Sequence, residues 1–296
     1  MDTRNTGIAS ATGAYVLWGL SPIYFVLVGF ATPTEILAQR IIWAIPVILV
    51  AIGIAGNWAS LKALERRDVC ILAIASLLLS INWLSFIVAI SLGRVAETSL
   101  GYFMCPLISL FFGGLVLRER LRGLQWLAGA VAGAGVLYEL FGQGEVPVYG
   151  LALAFSFGCY GLLKKKTGAA AMPGLLVETS VMLPFALAYL AFLVVTGGAP
   201  DRSWMEASLL ALGGLVTIVP LLCFAAAARR LPLTLLSFFQ YIAPIISLLL
   251  ALFLYNEHIS LERWIAFVCI WIGLLIFSAD GVYQQYRKNN IPAPVR

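Results

Sequence analysis

Two ionisable residues inside long apolar stretches are the groups best placed to do chemistry in this chain. Arg40 lies in the apolar stretch 34–55, and Glu178 lies in the stretch 173–195. If these stretches cross a bilayer, a charge near the centre costs about 2.5–3.5 kcal/mol, so both residues are functional candidates. We expect Arg40 either to bind an anionic or carboxylate group or to pair with an acid of the protein. We expect Glu178 either to carry a coupling proton or to act as an acid near a helix N-terminus.

Uncharged polar and aromatic residues in other apolar stretches complete the candidate site. Hydrogen-bonding groups beside aromatic faces suit a cavity for a partly apolar organic solute. The alternatives are hydrogen bonds between helices and an aromatic belt at the membrane surface. The candidates for lining such a cavity are Asn82, Trp83, Tyr102, Gln240, Tyr241, Trp18 and Tyr24.

The composition indicates a membrane protein made mostly of apolar helices. Of the 296 residues, 61% are hydrophobic and 11% are charged, and the mean hydropathy is +0.96. A soluble domain is nearer half apolar and a quarter charged, so this chain lacks the charges for a polar coat. The same composition excludes a disordered chain.

Metal, cofactor and nucleic-acid binding are not expected. The five cysteines contain no CxxC pair and His258 is the single histidine, so a set of metal ligands is missing. The net charge of +5 does not indicate nucleic-acid binding, because the positive charges lie at the ends of the apolar stretches. The sequence also lacks the HExxH, GxSxG and Walker A motifs. We therefore expect no cofactor and no enzymatic activity.

Ten apolar stretches, bounded by charges, glycine or proline, predict ten transmembrane helices. A bilayer-spanning helix needs about 20 such residues. Connections are short, and most lysines and arginines fall in segments on the same side as the N-terminus. The positive-inside rule then places both termini in the cytoplasm. The predicted spans are 8–30, 34–55, 69–91, 97–117, 122–141, 147–164, 173–195, 207–228, 233–254 and 262–280.

The two halves of the chain resemble each other. A shift of 138 residues pairs Pro106 with Pro244, Ser109 with Ser247, and Glu119 with Glu257. Five helices per half is an odd number, so the second half enters the membrane from the opposite side. Such inverted repeats are typical of secondary transporters, whose substrate site lies near the midplane between the halves. We expect a 5+5 inverted repeat with halves 1–141 and 147–284, followed by a cytoplasmic tail, 285–296.

The same shift pairs Arg40 with Glu178. These two residues are therefore expected to be related by the pseudo-symmetry and to carry opposite charges. If both face the axis between the halves, they line opposite ends of one pathway.

Several motifs resemble those of the EamA-type branch of the drug/metabolite transporter superfamily, and most closely its RarD-type, chloramphenicol-sensitive-protein permeases. The resemblance implies a carrier of small organic solutes in the bacterial cytoplasmic membrane. It leaves the solute open among anionic, amino-acid-like and chloramphenicol-like compounds. The matching stretches include Trp18-Gly19-Leu20-Ser21-Pro22, Ile81-Asn82-Trp83, Ser99-Leu100-Gly101-Tyr102-Phe103 and Gln240-Tyr241-Ile242-Ala243-Pro244.

These observations predict a secondary-active transporter that works by alternating access and can be proton-coupled. The alternatives are a facilitative exchanger, a channel-like pore and an intramembrane enzyme. The expected partners are the small-molecule solute and the lipid bilayer, and a homo-oligomer is compatible with the sequence.

Overall fold

The computed structural model describes residues 3–92, 95–142, 148–198, 201–254 and 261–290. Glu257 and His258, both named above, lie outside these ranges. All regular structure in the described part is helical. The helices are α1 (Thr3–Leu27), α2 (Pro33–Ala55), α3 (Trp58–Lys62), α4 (Arg66–Ser91), α5 (Val95–Phe111), α6 (Gly123–Gly142), α7 (Val148–Lys166), α8 (Ala171–Val195), α9 (Trp204–Arg230), α10 (Leu233–Phe239), α11 (Ile242–Phe253) and α12 (Leu261–Asn290), with a π-helical segment at Phe112–Val116.

Eight helical stretches of the described chain are long and apolar enough to cross a membrane, which confirms an all-α membrane protein. The stretch Gly101–Val116 is apolar but shorter. Helix α7 has 19 residues and carries three lysines in its last turn. The count of ten spans and the orientation of the termini therefore stay predictions.

The predicted span 233–254 is interrupted at Gln240 and Tyr241, which separate α10 from α11. Pro244 accounts for the break. It has no backbone N–H, so the carbonyl of Gln240, four residues earlier, has no helical donor. The interruption opens the backbone next to two side chains that the sequence places in the candidate site.

The helices pack in two related sets around a shared core. Helix α1 packs against α9 and α11, and α7 packs against α4 and α5. Helices α2 and α8 contact each other, and α9 and α4 cover them from either side. Residues from α2, α8 and α9, such as Ile48, Leu175 and Phe224, form the largest buried apolar cluster. This arrangement brings α2, α4, α8 and α9 together at the centre.

Helices α6 and α12 form a separate pair beside this core. A Cβ atom at Gly273 would lie 2.7 Å from the carbonyl oxygen of Ala128, so only glycine allows this approach. Arg122, just before α6, forms an ion pair with the buried carboxylate of Asp280 on α12. The pair is thus fixed by close backbone contact along its length and by one ion pair at its end.

Candidate functional site

Arg40 lies on α2, where a neighbouring helix and two aromatic rings hold its guanidinium. Its Nε donates to Thr217 Oγ1 at 2.7 Å, and the Thr217 hydroxyl donates in turn to the carbonyl of Gly213 at 2.7 Å. Its Cζ lies 5.3 Å from the ring centroid of Phe25 and 5.1 Å from that of Trp83. Cation–π contacts of this length are attractive. Among the described residues, no carboxylate lies within ion-pair distance of Arg40.

A glycine of α9 makes room for the Arg40 side chain. A Cβ atom at Gly213 would lie 2.7 Å from Arg40 Cγ and 2.6 Å from Tyr24 Oη. The Tyr24 hydroxyl donates to the carbonyl of Leu209 at 3.2 Å. Tyr24 is buried, so in this structure it fixes α1 to α9 beside Arg40. Its predicted contact with solute stays a prediction.

The Arg40 end of the core is partly exposed. Arg40 and Trp83, which contact each other, are both partly exposed. On α5, 40% of the surface of Tyr102 is exposed. The structure thus places Trp83 beside Arg40, and contact of Trp83 and Tyr102 with solute stays a prediction.

Glu178 on α8 is closed off at the other end of the core. Its Oε1 accepts from Lys164 Nζ at 2.7 Å, and its Oε2 accepts from the Tyr160 hydroxyl at 3.1 Å. The Ser76 hydroxyl of α4 donates to the backbone carbonyl of Glu178 at 2.8 Å. Glu178 is 1% exposed and Lys164 is 4% exposed. Three helices therefore meet at one buried ion pair.

The location of Glu178 argues against its alternative interpretation as a helix N-terminal acid. Helix α8 begins at Ala171, about two turns earlier. The favourable interaction of an acid with the helix dipole falls off within the first turn. Sequence reasoning missed Lys164, because it counted this residue only among the charges at a helix end. Its spacing of four from Tyr160 on α7 is the signal that both share one face.

A small cavity lies between α2, α4, α8 and α9, and members of both charged clusters line it. Trp83 and Thr217, which both contact Arg40, form part of its wall, and so does Glu178. Eight of its ten lining residues fall into four pairs that the shift of 138 residues relates. These pairs are Ile41 with Thr179, Ala44 with Met182, Leu79 with Thr217, and Trp83 with Leu221.

Asn82 is buried at the contact of α4 with α7. Its side-chain nitrogen donates to the carbonyl of Leu153 at 2.9 Å and to Ser156 Oγ at 3.1 Å. These bonds match the alternative of interhelical hydrogen bonding. Contact of Asn82 with solute stays a prediction.

Trp18 belongs to an aromatic cluster contributed by α1, α7 and α9. Its ring centroid lies 5.3 Å from that of Tyr15, 5.8 Å from that of Phe157 and 5.9 Å from that of Phe224. Phe224 also stacks on Tyr160 at 5.7 Å, which leads to the Glu178 cluster. Trp18 thus lies in the interior, and not in a surface belt.

Gln240 and Tyr241 are buried at the break between α10 and α11. Gln240 Nε2 donates to Ser109 Oγ on α5 at 2.8 Å. The Tyr241 ring packs in a second buried apolar cluster with Phe103 and Cys105. Both residues thus lie in the interior, against α5.

Two carboxylates outside this interior stabilise helix ends. Glu119 accepts from the backbone N–H groups of Leu233 and Thr234 at 2.8 Å each, and so caps α10. Glu35, in the first turn of α2, binds Arg202 at 2.7 Å. These contacts fix the loops that precede α10 and α9.

The fold and its polar interior define a helical membrane protein with a charged, partly solvent-accessible site between its helices. The profile of the EamA-like transporter family matches the chain twice, over residues 5–140 and 146–279. The chain belongs to the EamA-like transporter family and is a polytopic membrane transporter. This confirms the resemblance drawn from the sequence motifs.

Relatives of known sequence cover the chain almost end to end. Protein RarD of Escherichia coli K12 is 41% identical, with 98% of this chain and 100% of that protein aligned. An uncharacterized transporter of Pseudomonas aeruginosa is 43% identical, with 99% of this chain and 100% of that protein aligned. A solved crystal structure that is 19% identical superposes with a TM-score of 0.71 over 92% of this chain and 97% of that chain, and it supports the fold alone.

Proposed function

We propose that this protein is a secondary-active transporter that carries small organic anions across the bacterial cytoplasmic membrane, with Arg40 as the contact for the anionic group. The observation that carries the proposal is the state of this guanidinium. It is partly exposed, it is held by Thr217 and two aromatic rings, and no described carboxylate neutralises it. An arginine held in this way without an acidic partner is a favourable site for a carboxylate.

The architecture of the proposal is ten spans in a 5+5 inverted repeat, with both termini cytoplasmic. The two matches of the family profile support it. The helix packing supports it as well. Each helix can be replaced by its counterpart in the other half of the chain. The contact of α1 with α9 then becomes the contact of α7 with α4, and the contact of α1 with α11 becomes that of α7 with α5, and all four contacts are present. The four repeat-related pairs that line the central cavity are expected of a cavity on the pseudo-two-fold axis.

Alternating access follows from this symmetry. In the proposed cycle the present conformation is the one open at Arg40, where Arg40 and Trp83 are partly exposed, and closed at Glu178, which is 1% exposed. If the two halves exchange conformations, the Arg40 end closes and the Glu178 end opens. A solute bound in the central cavity then faces the opposite side of the membrane.

Glu178 is the proposed carrier of a coupling proton. In the closed end its carboxylate neutralises Lys164. Protonation of Glu178 would leave a buried ammonium group without a negative partner, which is strongly unfavourable. The protein would relieve this cost by opening the end so that Lys164 reaches water. Protonation therefore favours the conformation that is open at Glu178.

Counterflow in proteoliposomes tests the proposal. The labelled solutes are a panel of organic anions, amino acids and chloramphenicol. Arg40→Ala should weaken binding of the transported anion by roughly 10- to 100-fold, the range for loss of hydrogen bonds to a charged group. Arg40→Lys should restore part of the affinity. Arg67→Ala, at an exposed arginine in the first turn of α4, is the matched control and should leave transport unchanged.

The alternatives predict different results in the same assay. A channel-like pore would pass solute without saturable exchange, and a facilitative exchanger would show exchange that a pH gradient does not drive. Anion counterflow with the same affinity in wild type and Arg40→Ala would refute the assigned role of Arg40. Membership in a transporter family argues against an intramembrane enzyme.

A further inference from the structure

Four exposed arginines form a cluster where the connection before α6 meets the end of α9. Two of them belong to that connection, and two lie in the last turn of α9. Within the described ranges, no carboxylate forms an ion pair with any of the four. Like charges repel one another, so the cluster favours an anion from outside the chain. The members of this arginine cluster are Arg118, Arg120, Arg229 and Arg230.

Glu119 holds the two pairs of arginines beside each other. It separates Arg118 from Arg120 in the sequence, and its two carboxylate oxygens accept from backbone N–H groups at the start of α10, at 2.8 Å each. Helix α10 begins three residues after Arg230. The oxygens of Glu119 are thus engaged by backbone groups and not by a guanidinium. The arginine cluster therefore joins a segment of the first half of the chain to a segment of the second half.

Lys165 places the arginine cluster at the end of the core that holds the ion pair of Lys164 and Glu178. Its Nζ donates to the carbonyl of Ala228 at 3.1 Å and to that of Leu231, at the end of α9. Helix α9 is one of the stretches long and apolar enough to cross a membrane. Its end therefore lies at the level of the lipid headgroups.

Arg118 has a backbone conformation that glycine adopts more easily. Its φ is 54°, and among the residues that the structure describes it is the one non-glycine residue with a positive φ. In this region Cβ of an L-residue crowds the following carbonyl oxygen, and helices that end in this way usually have glycine there. An arginine at this position accepts backbone strain and adds a guanidinium to the cluster. Strain of this kind is found at functional sites, so it is a second observation that points to a ligand.

An exposed apolar surface adjoins the arginine cluster. One part of it comes just before Arg118, and the other belongs to the start of α6. Trp126 joins the two parts, because a Cβ atom at Gly114 would lie 3.5 Å from its ring. Tryptophan beside apolar and basic residues is typical of the boundary between headgroups and acyl chains. The exposed apolar residues are Leu115, Val116, Leu124 and Leu127.

We propose that the arginine cluster binds the phosphate of an anionic phospholipid, whose acyl chains cover the adjoining apolar surface. Guanidinium groups match phosphate oxygens in geometry as well as in charge. Basic pockets at the ends of membrane helices bind such headgroups. A zwitterionic lipid covers the same apolar surface but brings no net charge, so the anionic headgroup decides the preference. The bound lipid bridges the two halves of the chain.

Titration of the purified protein with lipid tests this site, in micelles of an uncharged detergent and with the midpoint of thermal unfolding as the readout. The probes are dioleoylphosphatidylglycerol and dioleoylphosphatidylcholine, which share their acyl chains and differ in net charge. A ligand that binds the folded protein alone raises the midpoint as its concentration rises. Wild type should be stabilised more by phosphatidylglycerol. Equal stabilisation by the two lipids would overturn the proposal.

Arg118→Gly is the variant that separates lipid binding from folding. Glycine relieves the left-handed strain, so without added lipid the midpoint should stay the same or rise. The apparent affinity for phosphatidylglycerol should nevertheless fall roughly fivefold, the worth of one arginine at a charged membrane surface. Arg229→Gln should lose a similar amount. If both variants keep the affinity of wild type, the assignment of the cluster is wrong.

Arg67→Gln is the matched control, because Arg67 is an exposed arginine of α4 outside the cluster. It should respond to phosphatidylglycerol as wild type does. A loss as large as that of Arg118→Gly would show a general attraction to charged micelles and would contradict a specific site.

Inorganic phosphate distinguishes a lipid site from a site for soluble anions. Added at equal ionic strength in place of chloride, it should not raise the midpoint of wild type. If phosphate stabilises wild type as much as phosphatidylglycerol does, and Arg118→Gly removes the effect, the cluster takes a soluble anion and the lipid proposal fails. No transported solute enters these measurements, so their outcome is independent of the proposed function.

Discussion

Removal of one charge from the buried pair of Lys164 and Glu178 should destabilise the protein strongly. The ammonium nitrogen and the carboxylate oxygen are 2.7 Å apart, and the two residues are 4% and 1% exposed. Lys164→Met leaves the carboxylate with hydrogen bonds from Tyr160 alone among the described side chains. Breaking such a pair by removing one partner costs about 3–5 kcal/mol, because the other charge stays buried without compensation. Glu178→Gln should cost a similar amount, since it leaves the ammonium unpaired.

The double variant distinguishes a charge effect from a packing effect. Lys164→Met combined with Glu178→Gln removes both charges and keeps an oxygen for Tyr160 to bind. A buried pair that is replaced by uncharged groups of similar size is often neutral in stability. We therefore expect the double variant to be more stable than either single variant.

Denaturant unfolding in detergent micelles, followed by tryptophan fluorescence, measures these differences as a double-mutant cycle. Lys166→Met is the matched control, because Lys166 is exposed two residues further along α7. It should change stability by less than about 0.5 kcal/mol. If the effects of the two single substitutions simply add in the double variant, the two side chains do not stabilise each other, and the reasoning about the closed end is wrong.

Three further predictions concern coupling, packing and capping. Glu178→Gln should keep saturable counterflow but lose accumulation driven by a pH gradient; pH-driven accumulation by this variant would rule out Glu178 as the proton carrier. Gly273→Ala should lower stability by about 1–3 kcal/mol, because its methyl group would meet the carbonyl of Ala128 at 2.7 Å; an unchanged unfolding midpoint would show that α6 and α12 separate at little cost. Glu119→Ala should cost about 1–2 kcal/mol by uncapping α10, and Glu119→Gln, which keeps one acceptor, should cost less; equal losses in the two variants would contradict the capping role.

The sequence was sufficient to locate most membrane-capable helices and to single out Arg40 as a charge within one of them. Long apolar stretches and a charge within them are local properties, and they do not depend on which helices become neighbours. The partner of Asn82 could not be predicted in this way. An interhelical hydrogen bond requires that α7 lies against Asn82, and a solute contact requires that a cavity does. The choice between them depends on how distant segments of the chain pack.

Lys164 shows a second limit of reasoning from sequence. Three consecutive lysines at a helix end all indicate the same side of the membrane. Successive helical residues point about 100° apart, so they cannot all face the interior. Only Lys164 lies one turn from Tyr160, on the face that packs against Glu178, and Lys166 is exposed. Which of the three is buried depends on where α8 packs.

The break at Gln240 and Tyr241 was present in the sequence as Pro244, but proline alone does not predict it. Pro106 is related to Pro244 by the shift of 138 residues and lies inside the continuous helix α5. The two halves thus respond differently to the same residue. In the second half the break lies beside Gln240, whose side-chain nitrogen donates to Ser109 on α5.

The difference between the halves also bears on the proposed role of Arg40. Arg40 and Glu178 are related by the repeat, yet Glu178 has two partners on α7 and Arg40 has none of the equivalent kind. The repeat-related position of Lys164 is Val26, and that of Tyr160 is Pro22. Neither of these can bind a guanidinium through its side chain. An acid at position 26 would face Arg40 as Lys164 faces Glu178, and it would neutralise Arg40 within the protein. Because the sequence departs from the repeat at these positions, Glu178 has an ion-pair partner within the protein and Arg40 has none among the described residues, which is what the proposed binding of an external anion at Arg40 requires.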